Sequence, residues 1–266
     1  METIAPHEIM PFIMRLAEKA GQIIMSYYRD GFRVHGKGPR KDGIDIVTDA
    51  DTASENFIMA EIRREFPGHD ILTEETLTET TGSKWLWIVD PLDGTVNFSH
   101  GYPAFCVSIG FMENQELIAG VVRDPLRLES FSAVRSGGAF LNGDPMTVSK
   151  ADGLSRSIIA TGFPYDRAYS PINNVAEFCK VVTKVQGMRR GGSAALDLSY
   201  VACGRLDGFW ELKLKPWDMA AGMLLVQEAG GTITDRHGKA TSIHTDSIVA
   251  TNSRLHETLI GLLAEV

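Results

Sequence analysis

Cysteine and long hydrophobic runs are scarce in this sequence, and each shortage excludes a class of protein. Three cysteines, Cys106, Cys179 and Cys203, are too few for the disulfide framework of a small secreted domain, so we expect reduced thiols among apolar neighbours. No segment approaches the roughly 20 apolar residues that a membrane helix needs, and the first residues lack the basic and apolar regions of a signal peptide. These features favour a cytoplasmic protein that does not bind membranes.

Positive charge is in short supply as well, because 26 Lys and Arg face 34 Asp and Glu, a formal net charge of −8. Without a basic stripe, direct binding to nucleic acid is not expected, and an anionic ligand must be captured by local positive charge such as bound metal ions. The seven histidines form no paired ligand motif, and no cysteine stands in a phosphate-cradling loop. These absences disfavour zinc hydrolases and phosphatases that form a phosphocysteine.

A chain of 266 residues that is 44% hydrophobic can bury a large core. No internal repeat, low-complexity tract or linker divides it, so we expect a single compact unit. The pattern of elements nevertheless changes near residue 147. We predict an N-terminal α+β half over residues 1–147 with an antiparallel sheet, and a C-terminal α/β half over residues 148–266 in which strands and helices alternate.

Hydrophobic periodicity predicts the main elements of each half. In the first half it predicts a helix over most of the first thirty residues, a polar loop at Arg33 to Asp45, and a second helix from about Thr52 to Phe66. Four runs there predict strands: Trp85 to Val89, Phe105 to Met112, Leu117 to Arg123 and Glu129 to Val134. In the second half we predict strands at 157–161, 208–211, 232–235 and 247–251, and helices at 172–184, 193–203, 218–229 and the C-terminus.

The segment IVDPLDGTVNF, Ile88 to Phe98, carries the strongest chemical signal. It places Asp90 at the end of a buried strand and Asp93 just beyond a proline that fixes the turn, which holds two carboxylates close together. Oxygen ligands of this kind suit Mg²⁺ or Mn²⁺, which would relieve their repulsion. Gly94 and Thr95 follow at once, where backbone amides can approach a phosphate. Taken alone, the same residues also describe an ordinary capped β-turn.

Other acidic residues stand at the ends of predicted elements. The pair Glu74 and Glu75 follows a predicted strand, and Asp218 stands at a helix start. Asp51, in the segment VTDAD, also stands where a helix begins. For Asp51 and Asp218, capping of a helix N-terminus is an alternative interpretation, and Glu75 is expected to be a solvated surface charge.

Taken together, these pieces resemble the inositol monophosphatase family, in order and spacing, across nearly the whole chain. The resemblance rests on six segments: VTDAD at 47–51, the Glu74-Glu75 pair, DPLDGT at 90–95 within Trp87 to Phe98, GAFLNG at 138–143, RRGGSAALDL at 189–198 and PWDMAAG at 216–222. It implies a layered αβαβα sandwich of the type shared with fructose-1,6-bisphosphatase, a metal-dependent phosphatase that lithium inhibits, and a homodimer.

The resemblance also implies metal ligands, position by position. Glu74, Asp90 and the carbonyl of Leu92 would hold the first Mg²⁺, while Asp90, Asp93 and Asp218 would hold the second, with Mn²⁺ as a substitute. Glu74 would touch a third, weaker ion, and Asp218 would contact the substrate as well. Through these ions, Glu74 and Asp93 would take part in catalysis.

Further roles implied by the resemblance concern the residues around these ions. Thr95, hydrogen-bonded to Asp51, would orient a metal-bound water for attack on phosphorus, and the amides of Gly94 and Thr95 would hold the phosphate. Glu211 matches the position that binds a substrate hydroxyl, and Ala194 lies in the matching wall of the site.

The implied function is hydrolysis of a small polyol phosphate, with myo-inositol 1-phosphate as the first candidate, to the free alcohol and inorganic phosphate. Fructose 1,6-bisphosphate, histidinol phosphate and 3′-phosphoadenosine nucleotides are alternative substrates, since the metals carry the chemistry. An alternative of another class is a protein that binds an RNA or transcription complex and keeps an incidental active site. Lys41 is a further match, to a basic residue of the family's early loop.

Overall fold

The structure is a computed structural model that describes residues 6–37, 45–76 and 81–264. The helices of these ranges are α1 Pro6–Asp30, α2 Asp49–Glu65, α3 Thr95–Ser99, α4 Val175–Val182, α5 Ala194–Ala202, α6 Pro216–Glu228 and α7 His256–Ala264. The strands are β1 Val34–Gly36, β2 Ile46–Thr48, β3 Asp70–Thr73, β4 Trp85–Asp93, β5 Cys106–Glu113, β6 Glu116–Asp124, β7 Glu129–Val134, β8 Gly138–Leu141, β9 Asp144–Pro145, β10 Ile158–Thr161, β11 Gly187–Arg189, β12 Gly208–Leu212, β13 Thr232–Thr234 and β14 Ser247–Thr251.

A seven-stranded sheet, in the order β3-β4-β5-β6-β7-β8-β9, is built from residues 70–145. β3 runs parallel to β4, and each later pair is antiparallel, so the predicted meander is confirmed. β5 is buried along seven consecutive residues because helices cover both faces of the sheet, which explains its continuous apolar sequence. The neighbouring strand β4 therefore ends inside the protein, at Asp93.

A second sheet has five strands in the order β11-β10-β12-β14-β13. β10 pairs in parallel with both β11 and β12, and such pairs require crossovers, which α4 and α5 supply. β14 is antiparallel to β12 and to β13. Strands and helices therefore alternate along the chain from β10 to β13.

Five layers result from the stacking of these elements, with buried apolar side chains between each pair of layers. Between α1, α2 and the seven-stranded sheet lies a cluster around Trp87, and between the two sheets lie α5 and α6 with residues such as Leu224. A third cluster, which includes Leu259, joins the outer face of the five-stranded sheet to α4 and α7. The chain therefore has the αβαβα sandwich that the sequence resemblance implies.

The early part of the chain differs from the prediction at two points. The loop predicted at Arg33 to Asp45 contains the strand β1, which pairs antiparallel with β2 and is too short to show alternation in the sequence. α2 begins at Asp49 instead of Thr52, because Thr48 Oγ1 accepts a hydrogen bond from Ala50 N and caps the helix earlier.

Elsewhere, β4 continues through Pro91 to Asp93, and α4 covers only Val175–Val182 instead of residues 172–184. α4 starts late because Asn174 takes a left-handed backbone conformation with φ of 68°. Cys106 is buried and Cys203 partly buried, but Cys179 is exposed on α4, so the expectation of apolar surroundings is wrong for that cysteine. No helix in the described ranges is long and apolar enough to cross a membrane.

Candidate active site

Strand β4 and the turn at its end deliver the first two carboxylates. Asp90 and Asp93 are 1% and 9% exposed, and the pairing of β4 with β5 shifts register between them, which marks a bulge in the ladder. Leu92 N donates a hydrogen bond of 3.0 Å to Asp90 Oδ1 and so orients that carboxylate. Gly94 has φ of 92°, and a Cβ there would lie 2.8 Å from Ala104 O, so the turn accepts only glycine.

Helix α5 holds Asp93 from the opposite side. Ser193 Oγ donates to Asp93 Oδ2 at 2.6 Å, and Ala195 N donates to the same oxygen at 2.8 Å. Ser193 Oγ also accepts a hydrogen bond of 3.3 Å from Leu196 N as the N-cap of α5. Sequence reasoning missed Ser193, although its place before an apolar helix in RRGGSAALDL is an N-cap signal.

Asp218 reaches the site from the third position of α6, which begins with Pro216 at N1. Its Oδ2 accepts a hydrogen bond of 2.7 Å from Lys215 N, so the carboxylate helps to cap the helix, as the alternative interpretation proposed. The side chain still lines the same cavity as Asp90 and Asp93. Capping therefore orients Asp218 without removing it from the site.

Glu74 follows β3 and is paired with a lysine that no sequence motif marked. Lys37 Nζ lies 2.7 Å from Glu74 Oε1 and 2.5 Å from Glu75 Oε1. The Glu75 side chain is only 14% exposed, and its backbone N donates to Glu55 Oε2. The expectation that Glu75 is a solvated surface charge is therefore wrong, because Lys37, just after β1, lies against the acidic pair. Lys41 lies outside the described residues.

Thr95 and Asp51 form a buried pair beside these carboxylates. Thr95 Oγ1 lies 2.8 Å from Asp51 Oδ1 and 3.0 Å from Leu92 O, which are both acceptors for its single hydrogen. Asp51 Oδ2 accepts a 2.8 Å hydrogen bond from Thr48 N in the capping box of α2. Asp51 thus caps its helix with one oxygen and holds Thr95 with the other.

Burial raises the pKa of Asp90, Asp93 and Asp218, and the negative charge of Glu74 raises each of them further. Within the described ranges, no group of three or more His, Cys, Asp or Glu side chains lies close enough together to hold a metal ion by itself. The carboxylate oxygens line an open cavity instead. This donor set fits Mg²⁺ or Mn²⁺, since Mg²⁺ usually keeps several waters and needs only one or two carboxylates from the protein.

The cavity has a volume of about 660 Å³ and brings together residues from both halves of the chain. The predicted site residues that line it are Glu74, Asp90, Leu92, Asp93, Gly94, Thr95, Ala194, Glu211 and Asp218. Glu211 stands on β12, and burial raises its pKa to about 8, against a lowering effect of Arg190. The cavity therefore combines the carboxylates of Asp90, Asp93 and Asp218, which we call the acidic floor, with the Thr95 hydroxyl and the Glu211 carboxyl group, which we assign to the wall.

Comparison with known proteins identifies the family to which the chain belongs. The sequence profile described as "Inositol monophosphatase family" matches residues 5–266. The chain belongs to the inositol monophosphatase family. Members of this family are metal-dependent phosphatases, and the oxygen-lined cavity agrees with that chemistry.

Individual members of the inositol monophosphatase family match over nearly their whole length. An "Inositol-1-monophosphatase" from Synechocystis sp. is 44% identical over 92% of this chain and 85% of the relative. A "Nus factor SuhB" from Pseudomonas aeruginosa is 42% identical over 93% of this chain and 92% of the relative. The structure of an inositol monophosphatase from Anabaena has a TM-score of 0.85 at 43% identity, covering 95% of this chain and 93% of that one.

Proposed function

We propose that the chain is a Mg²⁺-dependent phosphomonoesterase that hydrolyses small polyol phosphates, with myo-inositol 1-phosphate as the first candidate. The observation that carries the proposal is the meeting of three carboxylates, Asp90, Asp93 and Asp218, with the Thr95–Asp51 pair at one cavity. A substrate phosphate could not approach this acidic floor without cations, and the same cations suit phosphate transfer to water.

The proposed metal ligands are those implied by the resemblance. Glu74, Asp90 and the Leu92 carbonyl would hold one ion, Asp90, Asp93 and Asp218 a second, and Glu74 would also contact a third. Bound there, divalent cations would lower the pKa of water and neutralise the charge on phosphate and leaving oxygen. The hydrogen bonds from Leu92 N to Asp90 and from Lys215 N to Asp218 support the assignment, since preoriented ligands bind better.

The Thr95–Asp51 pair would orient the attacking water. The Thr95 hydroxyl donates its only hydrogen to Asp51 or to the Leu92 carbonyl, so its lone pairs are available to accept a hydrogen from water. Such an acceptor fixes the direction of the water's nucleophilic lone pair and thereby favours in-line attack. The backbone amides of Gly94 and Thr95 are proposed to hold the phosphate oxygens.

Glu211 is proposed to bind the alcohol part of the substrate, and Ala194 to form the adjacent wall. A carboxyl group on the cavity wall can bond to two hydroxyl groups of a polyol, whereas an alcohol that lacks them leaves it unpaired. An unpaired buried polar group costs about 1–3 kcal/mol. The wall, in contrast to the acidic floor, would therefore discriminate among phosphate esters.

A second candidate function is a binding role in an RNA or transcription complex with an incidental active site. The observation that favours it is the name of the relative from Pseudomonas aeruginosa, "Nus factor SuhB", at 42% identity. The net charge of −8 argues for a protein partner over nucleic acid. We also propose a homodimer, as the resemblance to the family implies.

A panel of phosphate esters tests the proposed activity. The purified chain is assayed with Mg²⁺ on inositol, fructose, histidinol and nucleotide phosphates, and kcat/KM is ranked. The proposal expects myo-inositol 1-phosphate to rank highest. A clear preference for another ester would correct the substrate, and absence of activity on all of them would favour the binding role. Light scattering of the same sample measures the oligomeric state.

A further inference from the structure

Glu211 has a close neighbour that no motif marks. A Cβ on Gly162 would lie 2.1 Å from the carboxyl carbon of Glu211 and from both of its oxygens, so this carboxyl group rests directly on the Gly162 backbone. Gly162 does not have a positive φ, so its backbone conformation suits other residues equally well. The absence of a side chain at Gly162 is therefore what makes room for the Glu211 carboxyl group.

A ring of buried hydrogen bonds holds the Gly162 backbone. Asn174 Nδ2 donates to Gly162 O at 2.6 Å and to Thr161 Oγ1 at 2.8 Å. Trp210 Nε1 donates to Asn174 Oδ1 at 2.6 Å, and Thr161 Oγ1 donates to Trp210 O at 2.7 Å, which closes the ring beside Glu211. Asn174, Thr161 and Trp210 are all 0% exposed, and buried hydrogen bonds reinforce one another. The ring therefore fixes the end of β10 relative to the middle of β12.

Asn174 suits this place in two ways. Its φ of 68° is a left-handed conformation, which asparagine adopts more readily than most residues. Its side chain uses both amide hydrogens and the carbonyl oxygen inside the ring, and aspartate or leucine of similar length cannot supply that set. The residue is thus matched to the ring by its backbone and by its side chain.

Glu211 depends on such packing because, among the described residues, none donates a hydrogen bond to its carboxylate, which lines the cavity. We propose that Asn174 and Gly162 are positioning residues that place the Glu211 carboxylate and thereby set selectivity for polyol phosphates. This inference rests on the proposed role of Glu211 in binding the alcohol. Neither residue is among the proposed metal ligands or phosphate-binding groups, although Gly162 lines the cavity. Changes at these two residues should therefore affect selectivity more than hydrolysis itself.

Two variants test the placement. Gly162→Ala puts a methyl group where the carboxylate stands, and Asn174→Gly keeps the left-handed backbone but removes the ring. For both, kcat/KM for myo-inositol 1-phosphate should fall about tenfold, mainly through KM. The value for 4-nitrophenyl phosphate, which has no hydroxyl groups to bind, should change less than about twofold. Asn173→Gly is the matched control, because Asn173 bonds to Val175 N and Ser170 O at the same helix start; it should preserve the ratio of the two esters.

Combination with Glu211→Gln separates positioning from general damage. If the ring acts through Glu211, the double variant Asn174→Gly/Glu211→Gln should have the same selectivity as Glu211→Gln alone. If the two changes act independently, the double variant should show the sum of the two losses in selectivity. Equal losses on both esters, or additive effects, would overturn the inference. Thermal unfolding identifies the folded variants. If Asn174→Gly does not fold, Thr161→Val, which replaces the ring hydroxyl of Thr161 by a methyl group, takes its place in the same cycle.

The wild-type protein distinguishes failure of this inference from failure of the proposed function. A wild type without activity on either ester would refute the phosphatase proposal itself. An active wild type whose selectivity survives both Gly162→Ala and Asn174→Gly would refute only the positioning role. An active wild type that is indifferent to Glu211→Gln would refute the alcohol-binding role, and the positioning role with it.

Discussion

Lys37 Nζ donates a hydrogen bond of 2.7 Å to Glu74 Oε1, so a positive charge of the chain already stands beside a proposed metal ligand. The same ammonium lies 2.5 Å from Glu75 Oε1, and the lysine side chain is only 19% exposed. A lysine and a divalent cation would therefore compete for the Glu74 carboxylate. Without either of them, two adjacent carboxylates would repel each other.

The first prediction concerns Lys37→Met, which keeps most of the length of the side chain and removes its charge. Because the competing ammonium is absent, Mn²⁺ should bind about fivefold more tightly, corresponding to an ion pair of about 1 kcal/mol. The metal-free variant should melt about 2–4 °C lower, since Glu74 and Glu75 lose their partner. Calorimetric titration and thermal unfolding in chelator measure the two effects. Lys84→Met is the control, because Lys84 pairs with Glu113 and has similar exposure, at 21%; a matching rise in its Mn²⁺ affinity would contradict the prediction.

The second prediction concerns Asp93→Asn. Asparagine can still accept the hydrogen bonds from Ser193 Oγ and Ala195 N through its single oxygen, so the fold should persist. The negative charge is lost, and kcat should fall at least about a hundredfold. Because repulsion at the acidic floor decreases, the metal-free protein should not be less stable than wild type. Turnover numbers and unfolding temperatures check this, and a fully active variant would remove Asp93 from the proposed ligand set.

The third prediction is that hydrolysis requires an added divalent cation. Asp90, Asp93 and Asp218 line the same cavity, and burial together with the negative charge of Glu74 already raises the pKa of each. A phosphate dianion adds further negative charge, so binding without cations is unfavourable. Activity should vanish in excess chelator and return with Mg²⁺ or Mn²⁺. Full turnover in chelator would show that the acidic floor is not a metal site.

The fourth prediction is a pH dependence of stability in the metal-free protein. Burial raises the pKa of Glu211 to about 8, while the unfolded chain releases the same proton near 4.5. Between these values the folded state binds more protons, so the free energy of unfolding should decrease as pH rises, by at most about 1.4 kcal/mol per pH unit for this group. Glu211→Gln cannot titrate and should show a shallower slope. Urea titrations at pH 5 to 8 in chelator measure the free energy of unfolding of the wild type and of Glu211→Gln. If the two free energies change with pH at the same rate, Glu211 is not the source of the pH dependence.

The part of the site that lies on one continuous segment could be predicted from the sequence. Asp90 and Asp93 follow an apolar run that ends at a proline, and this local spacing brings them together without reference to the rest of the fold. The αβαβα architecture followed from the resemblance and from strong periodicity. Helix boundaries at Thr48 and Asn174 were less predictable, because capping geometry decides them.

Other parts depend on tertiary contacts that no local pattern encodes. Lys37 meets Glu74 across 37 positions, and its polar surroundings resemble any surface loop. Ser193 meets Asp93 across 100 positions, and Asn174 reaches Trp210 across 36. Periodicity in a sequence reveals which apolar residues share a buried face, but it does not reveal which polar residue will contact which. These contacts can therefore be recognised only in the assembled structure.

The last prediction is inhibition by millimolar Li⁺, which the family resemblance motivates. Asp90, Asp93 and Asp218 offer oxygen donors to a cation about the size of Mg²⁺, and Li⁺ carries half the charge to stabilise a leaving oxygen. An ion that enters after the substrate has reacted would retain phosphate, so inhibition should be uncompetitive or noncompetitive. Asp218→Asn should weaken it, as far as residual activity permits measurement. The titration is made at saturating substrate with KCl matched for ionic strength, because surface charges are screened within about 10 Å at 0.1 M salt. If Li⁺ and K⁺ lower the rate equally up to that concentration, the second proposed cation position does not accept Li⁺.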